Sequence, residues 1–214
     1  MTSVSLADLH QFAAAALDNT DPGDPLSPMD IALVRLGLAT SVSALNRDAI
    51  DGAVAEAVAA GATTAQIQEV VSLISGLGVH SLMVAAVPIA RAAGLDSAAL
   101  TPEQQELWDK HVGGDPYWNA FETELPGFLE AMLKLSTDQF TAFFDYCALP
   151  WKSGQVQARL KELIAMGCDA MPAHRFGPGL RLHLGHAIKL GAGRRAVMEV
   201  LDLAAAAPPH DGWR

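Results

Sequence analysis

Apolar residues recur at three- and four-residue spacing along nearly the whole chain, and no convincing stretch alternates with period 2. The pattern predicts helices over residues 6–17, 29–44, 48–60, 64–76 and 80–93, then over 117–124, 127–135, 137–147, 156–171, 178–190 and 194–206. Asp48 and Thr64 stand where N-caps belong, and Gly61 follows a helix as a C-terminal glycine does. Residues 19–28 are rich in Asp, Pro and Gly and read as a loop. The stretch 97–126 is more polar, carries Gly113-Gly114-Asp115-Pro116, and reads as a junction between two halves. Residues 149–154 read as a turn in which Trp151 packs. The fold class predicted is all-α.

The two halves repeat. Shifting the chain by 130 residues lays Gly61-Ala62 on Gly191-Ala192. The same shift lays Ile67, Glu69, Val70 and Leu73 on Val197, Glu199, Val200 and Leu203. Upstream, Ile50, Val54, Ala57 and Val58 fall on Leu180, Leu184, Ala187 and Ile188. The register survives the Gly-Ala turn without a gap. The division expected is an N-terminal helix and linker (1–27), a first repeat (28–96), a connecting segment (97–126), a second repeat (127–206) and a tail (207–214).

Composition narrows the function. Half of the 214 residues are hydrophobic but only 6% are aromatic, so the apolar content is the Ala, Leu, Val and Ile that suit helices. A formal net charge of −10 argues against a nucleic-acid partner, which needs a basic face, and against an electrostatic membrane anchor. The two cysteines, Cys147 and Cys168, form no CxxC and read as small hydrophobes. The first residues lack a signal peptide's basic and apolar regions. The apolar stretch 70–95 is broken by Ser, Gly, His, Pro and Arg and makes a poor membrane span. These features read as a soluble cytoplasmic protein.

Polar chemistry concentrates in residues 171–186, where His174, Arg175, Arg181, His183 and His186 surround Phe176-Gly177-Pro178-Gly179. Pro178 suits a first helical turn, and free N–H groups there can hold a carboxylate or an enolate oxygen. His183 sits at the edge of the stripe formed by Leu180, Leu184, Ala187 and Ile188. There it can line a cleft and exchange protons near neutral pH. His186 projects further round, toward the polar side. His174 is expected to face His183 across the loop, with Arg175 and Arg181 supplying charge for an anionic substrate. Glu162, one helix earlier, either faces the site or pairs with Lys161 or Arg159 in water, the surface position being favoured. In the first half, Ala53 and Asp51 stand where His183 and Arg181 stand in the second, so that half reads as a scaffold. His80 reads as structural and His111 as exposed. No Walker loop, GxGxxG, HExxH or GxSxG occurs.

Three segments resemble the carboxymuconolactone decarboxylase and alkylhydroperoxidase-D-like (AhpD-like) superfamily: Lys161-Glu162-Leu163-Ile164-Ala165, Arg181-Leu182-His183 with Ala187 and Gly191-Ala192, and Glu199-Val200-Leu201. Trp118-Asn119 through Pro150-Trp151-Lys152-Ser153-Gly154 is similar to a tandem, two-repeat branch. The resemblance implies an AhpD-like helical bundle of two tandem repeats and a cofactor-independent lyase or isomerase without a metal. The substrate implied is a small anionic carboxylated lactone or oxo-acid. His183 and His174 would be catalytic, and Arg181, Arg175, Glu162 and His186 would bind substrate. It also implies a homo-oligomer, a trimer of two-repeat chains mimicking a hexamer. The peroxidase branch carries a CxxC before its histidine, where Phe176 and Gly179 stand here, which disfavours a thiol redox enzyme. The acidic residues that the decarboxylase carries just before its RLH are also missing. A non-catalytic oligomeric binding protein is the third reading.

Overall fold

A computed structural model describes residues 4–212. In chain order the helices are α1 (Leu6–Ala16), α2 (Pro28–Thr40), α3 (Arg47–Ala59), α4 (Thr64–Ser75), a 3-10 turn (Gly76–Val79) and α5 (His80–Ala92). They continue with α6 (Pro102–His111), α7 (Pro116–Glu124), α8 (Phe128–Leu135), α9 (Thr137–Ser153), α10 (Ala158–Ala170), α11 (Gly177–Lys189) and α12 (Arg194–Ala205). No strand occurs among the described residues, so the all-α expectation holds.

Local chemistry explains several differences from the expected elements. Asn46, not Asp48, caps α3, accepting from the Ala49 N–H at 3.0 Å. At the start of α4, Thr63 rather than Thr64 accepts from the Gln66 N–H, and the Gln66 side chain reaches back to the Thr63 N–H. The segment expected to be a junction contains α6, started by a Thr101–Gln104 capping box with Pro102 in the first turn. The expected turn at 149–154 is instead the end of α9, which runs through Pro150 to Ser153. The Pro150 carbonyl there accepts from the buried Lys161 Nζ at 2.5 Å.

The chain forms two compact units that cut across the expected boundaries: residues 1–75 with 150–214, and residues 76–149. Residues 80–96, expected with the first repeat, and 127–149, expected with the second, belong to the latter unit. Its core is aromatic, with Phe128 and Phe140 fully buried and Phe143 meeting Phe128 edge-on at 5.7 Å. His111 lies in this unit too. It stacks on Phe144 at 4.8 Å and is half-buried rather than exposed, and burial lowers its pKa.

In the first unit the helices α2, α3 and α4 recur as α10, α11 and α12, every boundary offset by 130 residues. Backbone details recur with them. The loop after α2 places Leu45 at φ +40°, and the loop after α10 places Arg175 at φ +49°. Both are non-glycine residues in the left-handed region, a costly conformation kept in both copies. Gly61 and Gly191, at φ +91° and +86°, end α3 and α11.

The centre of this unit is built on α2 and α10, both buried along most of their length. Two glycines set their close approach to neighbours. A Cβ on Gly37 of α2 would lie 2.5 Å from Ile164 Cγ2, and one on Gly167 of α10 would lie 2.7 Å from Val200 Cγ1. The helix α4 belongs to a run, Thr64–Ala92, long and apolar enough by length and composition to cross a membrane. Within α4, however, Glu69 is buried and pairs with the buried Lys161 of α10 at 2.5 Å. Glu69 also accepts from the N–H groups of Gln155 and Val156 at 2.9 and 3.1 Å. Its counterpart Glu199 accepts from the Leu26 N–H at 2.7 Å, so each repeat's third helix fastens the chain entering the other repeat.

Replacing Gly167 by Ala is expected to cost about 1–3 kcal/mol through overpacking. Gly52→Ala, where an added Cβ meets nothing within 4 Å, is expected to be neutral or stabilising. Urea denaturation measures both, and equal midpoints for the two variants would contradict the close-packing account.

Candidate functional site

The central helix α10 contributes two carboxylates, Glu162 and Asp169, seven residues apart and therefore on one helical face. Both are buried, Glu162 at 5% exposure and Asp169 at 0%. Neither is tolerable there as an uncompensated charge, because moving an ion out of water costs several kcal/mol. Compensation comes from α11, which packs along α10. His183 and His186, three residues apart on α11, both reach Glu162. His183 Nδ1 lies 2.6 Å from Glu162 Oε2, and His186 Nδ1 lies 3.4 Å from Glu162 Oε1.

The second carboxylate links the loop to the helix. Asp169 Oδ1 is 3.5 Å from His174 Nε2, and Asp169 Oδ2 is 4.0 Å from His183 Nε2. The residue lies against the first turn of α11: its main-chain oxygen accepts from the Phe176 N–H at 2.9 Å, and a Cβ on Gly179 would come within 2.2 Å of Oδ2. Glycine at 179 is therefore what admits the carboxylate to the helix N-terminus, where the helix dipole favours negative charge. The three imidazoles stay within reach of solvent, their side chains 12–18% exposed.

The electrostatics follow from this geometry. Burial by itself pushes the Glu162 carboxyl up, but the hydrogen bonds from His183 and His186 outweigh it and hold the group below 4.5. Burial by itself lowers His183, but its bond to Glu162 and the charges of Glu162 and Asp169 outweigh that and raise it above 6.5. With Glu162 accepting a hydrogen bond from Nδ1–H, Nε2 is the ring nitrogen of His183 that can give or take a proton.

Of the residues expected at the site, His174, His183, His186 and Glu162 come together. Three expectations are corrected. Glu162 is not a surface residue paired with Lys161 or Arg159; Lys161 is committed to Glu69, and Glu162 is committed to the imidazoles. His186 is turned inward to Glu162 rather than toward the polar side. Arg181 leaves α11 on a different face from His183, because two residues before His183 is about 200° round the helix. Its guanidinium lies over the Phe12 ring of α1, 5.1 Å from the centroid. Arg175 is exposed in the loop. Asp169 was missed from the sequence, although an acid seven residues beyond Glu162, following the apolar run 163–168, is a legible signal. The thiols are poor nucleophiles: burial pushes Cys147 up to about 11 and Cys168 well above its usual value.

The raised His183 and lowered Glu162 fix the sign of a pH dependence. The stabilisation from His183 is complete below 6.5 and is lost as pH rises through its folded-state value. That from Glu162 is complete above 4.5 and is lost as pH falls through its own folded-state value. The pair is therefore at full strength between these two ordinary values. A histidine-detected NMR titration is expected to place His183 above 6.5, and Glu162→Gln to lower its midpoint. An unchanged midpoint in that variant would refute the pairing.

No protein-family model matches the chain, and no curated protein matches its sequence. Among solved structures, one from Burkholderia xenovorans LB400, provisionally described as a gamma-carboxymuconolactone decarboxylase subunit, is 24% identical. The match covers 93% of this chain and 78% of that one, with a TM-score of 0.71. This chain therefore shares the all-α fold of that carboxymuconolactone decarboxylase-like structure, the fold that its KELIA and RLH segments implied.

Proposed function

We propose that this chain is a carboxymuconolactone decarboxylase-like enzyme of the tandem two-repeat branch. It is a cofactor-independent lyase or isomerase acting on a small carboxylated lactone or oxo-acid, in the cytoplasm and as a homo-oligomer, a trimer of two-repeat chains. One observation carries the reading: His183 is oriented by the buried Glu162 through Nδ1 at 2.6 Å, and its Nε2 stands 4.0 Å from Asp169 Oδ2, beyond hydrogen-bond distance. An imidazole held by a buried carboxylate, with a raised pKa, is a proton donor at neutral pH.

In the lyase form, the bond between the ring carbon and the carboxylate breaks and CO₂ leaves. The electron pair delocalises through the conjugated double bond into the lactone carbonyl. His183 then delivers the Nε2 proton to carbon and recovers one from solvent. His174, joined to the same Asp169, is the second proton-transfer group, and His186 supports Glu162. Arg175, exposed beside His174 in the chain, is the guanidinium left to take the substrate carboxylate. Arg181, turned to Phe12, supports α11 instead. The thiol-peroxidase reading loses ground because both thiols are disfavoured as thiolates.

His183→Ala is expected to reduce turnover of carboxylated lactones by about 10²–10⁴-fold while the helical circular-dichroism signal is retained. CO₂ release or loss of the substrate's ultraviolet absorbance reports the rate. Unchanged turnover in this variant would remove His183 from the mechanism.

A further inference from the structure

The 130-residue correspondence locates the place in the first repeat that matches the histidine cluster. Ala32, Ala39, Ala44 and Ala53 stand there in place of Glu162, Asp169, His174 and His183. Gly52 replaces Leu182, so a bulky side chain is lost beside the missing imidazole. The replacements remove every group that gave the second repeat its proton chemistry. They also remove side-chain volume, and the space has not collapsed. A cleft of about 460 Å³ lies there between α2 and α3, with Ala39, Gly52 and Ala53 in its wall and Leu203 and Pro208 from the C-terminal end of the unit on its other side. That volume lies in the range of small-molecule sites.

The first repeat carries an arginine–carboxylate pair where the second has none. Arg35 stands in place of Ala165, Glu56 in place of His186, and both line the cleft. Among the described residues, Glu56 Oε1 meets Arg35 through Nη1. A guanidinium carries five N–H donors in a planar fork, so Glu56 orients Arg35 and leaves donors for a second carboxylate. A half-exposed ion pair of this kind is itself worth little, so sharing or exchanging it costs little.

We propose that this cleft is a second, non-catalytic ligand site for a small monocarboxylate with an apolar body. Arg35 grips the carboxylate, and the alanine-lined hollow takes the hydrocarbon. The duplication thus yields one repeat that keeps the proton-transfer groups and one that keeps the space and adds an anion anchor. The site does not depend on His183 being catalytic.

Benzoate is a suitable probe, followed by amide chemical shifts of the full chain. Shifts are expected at Ala49, Gly52 and Ala53 on α3. Arg35→Gln is expected to weaken binding at least about tenfold, the effect of losing a charge-assisted hydrogen bond. Ala53→Leu, which fills the hollow, is expected to weaken it similarly. His183→Ala should leave it unchanged, and benzamide, of the same shape without the charge, should bind at least about tenfold more weakly. Shifts confined to α10 and α11, equal binding of benzoate and benzamide, or no saturable binding would each overturn the proposal. Keeping Arg35→Gln and Ala53→Leu as separate variants guards against a repacking failure in either one, since the cleft accounts for both losses only if both occur in folded protein.

Discussion

Placing two carboxylates on a helix that the core surrounds constrains everything near it. The helix α10 is buried from Leu160 to Ala170, so Glu162 and Asp169 have no route to bulk water of their own. An ion in that position needs a partner of opposite sign or a set of donors, and α11 supplies imidazoles at the required spacing. His183 and His186 are three residues apart because that spacing brings both rings to one carboxylate. Gly179 is glycine because Asp169 occupies the space of its Cβ. The same burial that would make these carboxylates costly makes the pairing strong enough to raise a histidine despite its own desolvation.

The duplicated architecture shows which features are scaffold and which are site. Both copies keep the helix lengths, the left-handed residue after the first helix, the glycine that ends the second and the acid on the third. Those features hold α10 against α2 and pin the entering chain to Glu69 and Glu199. Only the second copy keeps acids and imidazoles on the facing sides of its first two helices. A scaffold whose stability comes from close-packed glycines and from acids that cap loops can lose the cluster in one copy without losing the fold. The retained cleft in the first copy is the physical consequence.

Much of this was legible in the sequence. Hydrophobic period placed nearly all of the helices, and the gapless 130-residue register located the equivalent turns. What failed had physical causes. Residues 102–111 carry almost no apolar stripe, so the helix there depends on the Thr101–Gln104 box and the fixed φ of Pro102 rather than on hydrophobic periodicity. Pro150 reads as a helix breaker, yet α9 runs through it to Ser153, and its carbonyl accepts from the buried Lys161, a tertiary contact that no local pattern reveals. Glu162 read as a surface acid because its charged neighbours Lys161 and Arg159 suggested water. The pairing of Lys161 with Glu69, ninety-two residues earlier, takes that partner away. Arg181 was counted with the histidines by nearness in sequence, whereas the helix turns it to α1.

The central claim is that His183 and Glu162 act as one charged unit inside the protein, and a double-mutant cycle measures that unit most directly. Unfolding free energies of the wild type, Glu162→Gln, His183→Gln and the double variant, taken at pH 6 and again at pH 9, give the coupling between the two side chains. The account predicts a coupling of about 1–3 kcal/mol at pH 6 that shrinks at pH 9 as the imidazolium is lost. Additive effects of the two substitutions at pH 6 would contradict it.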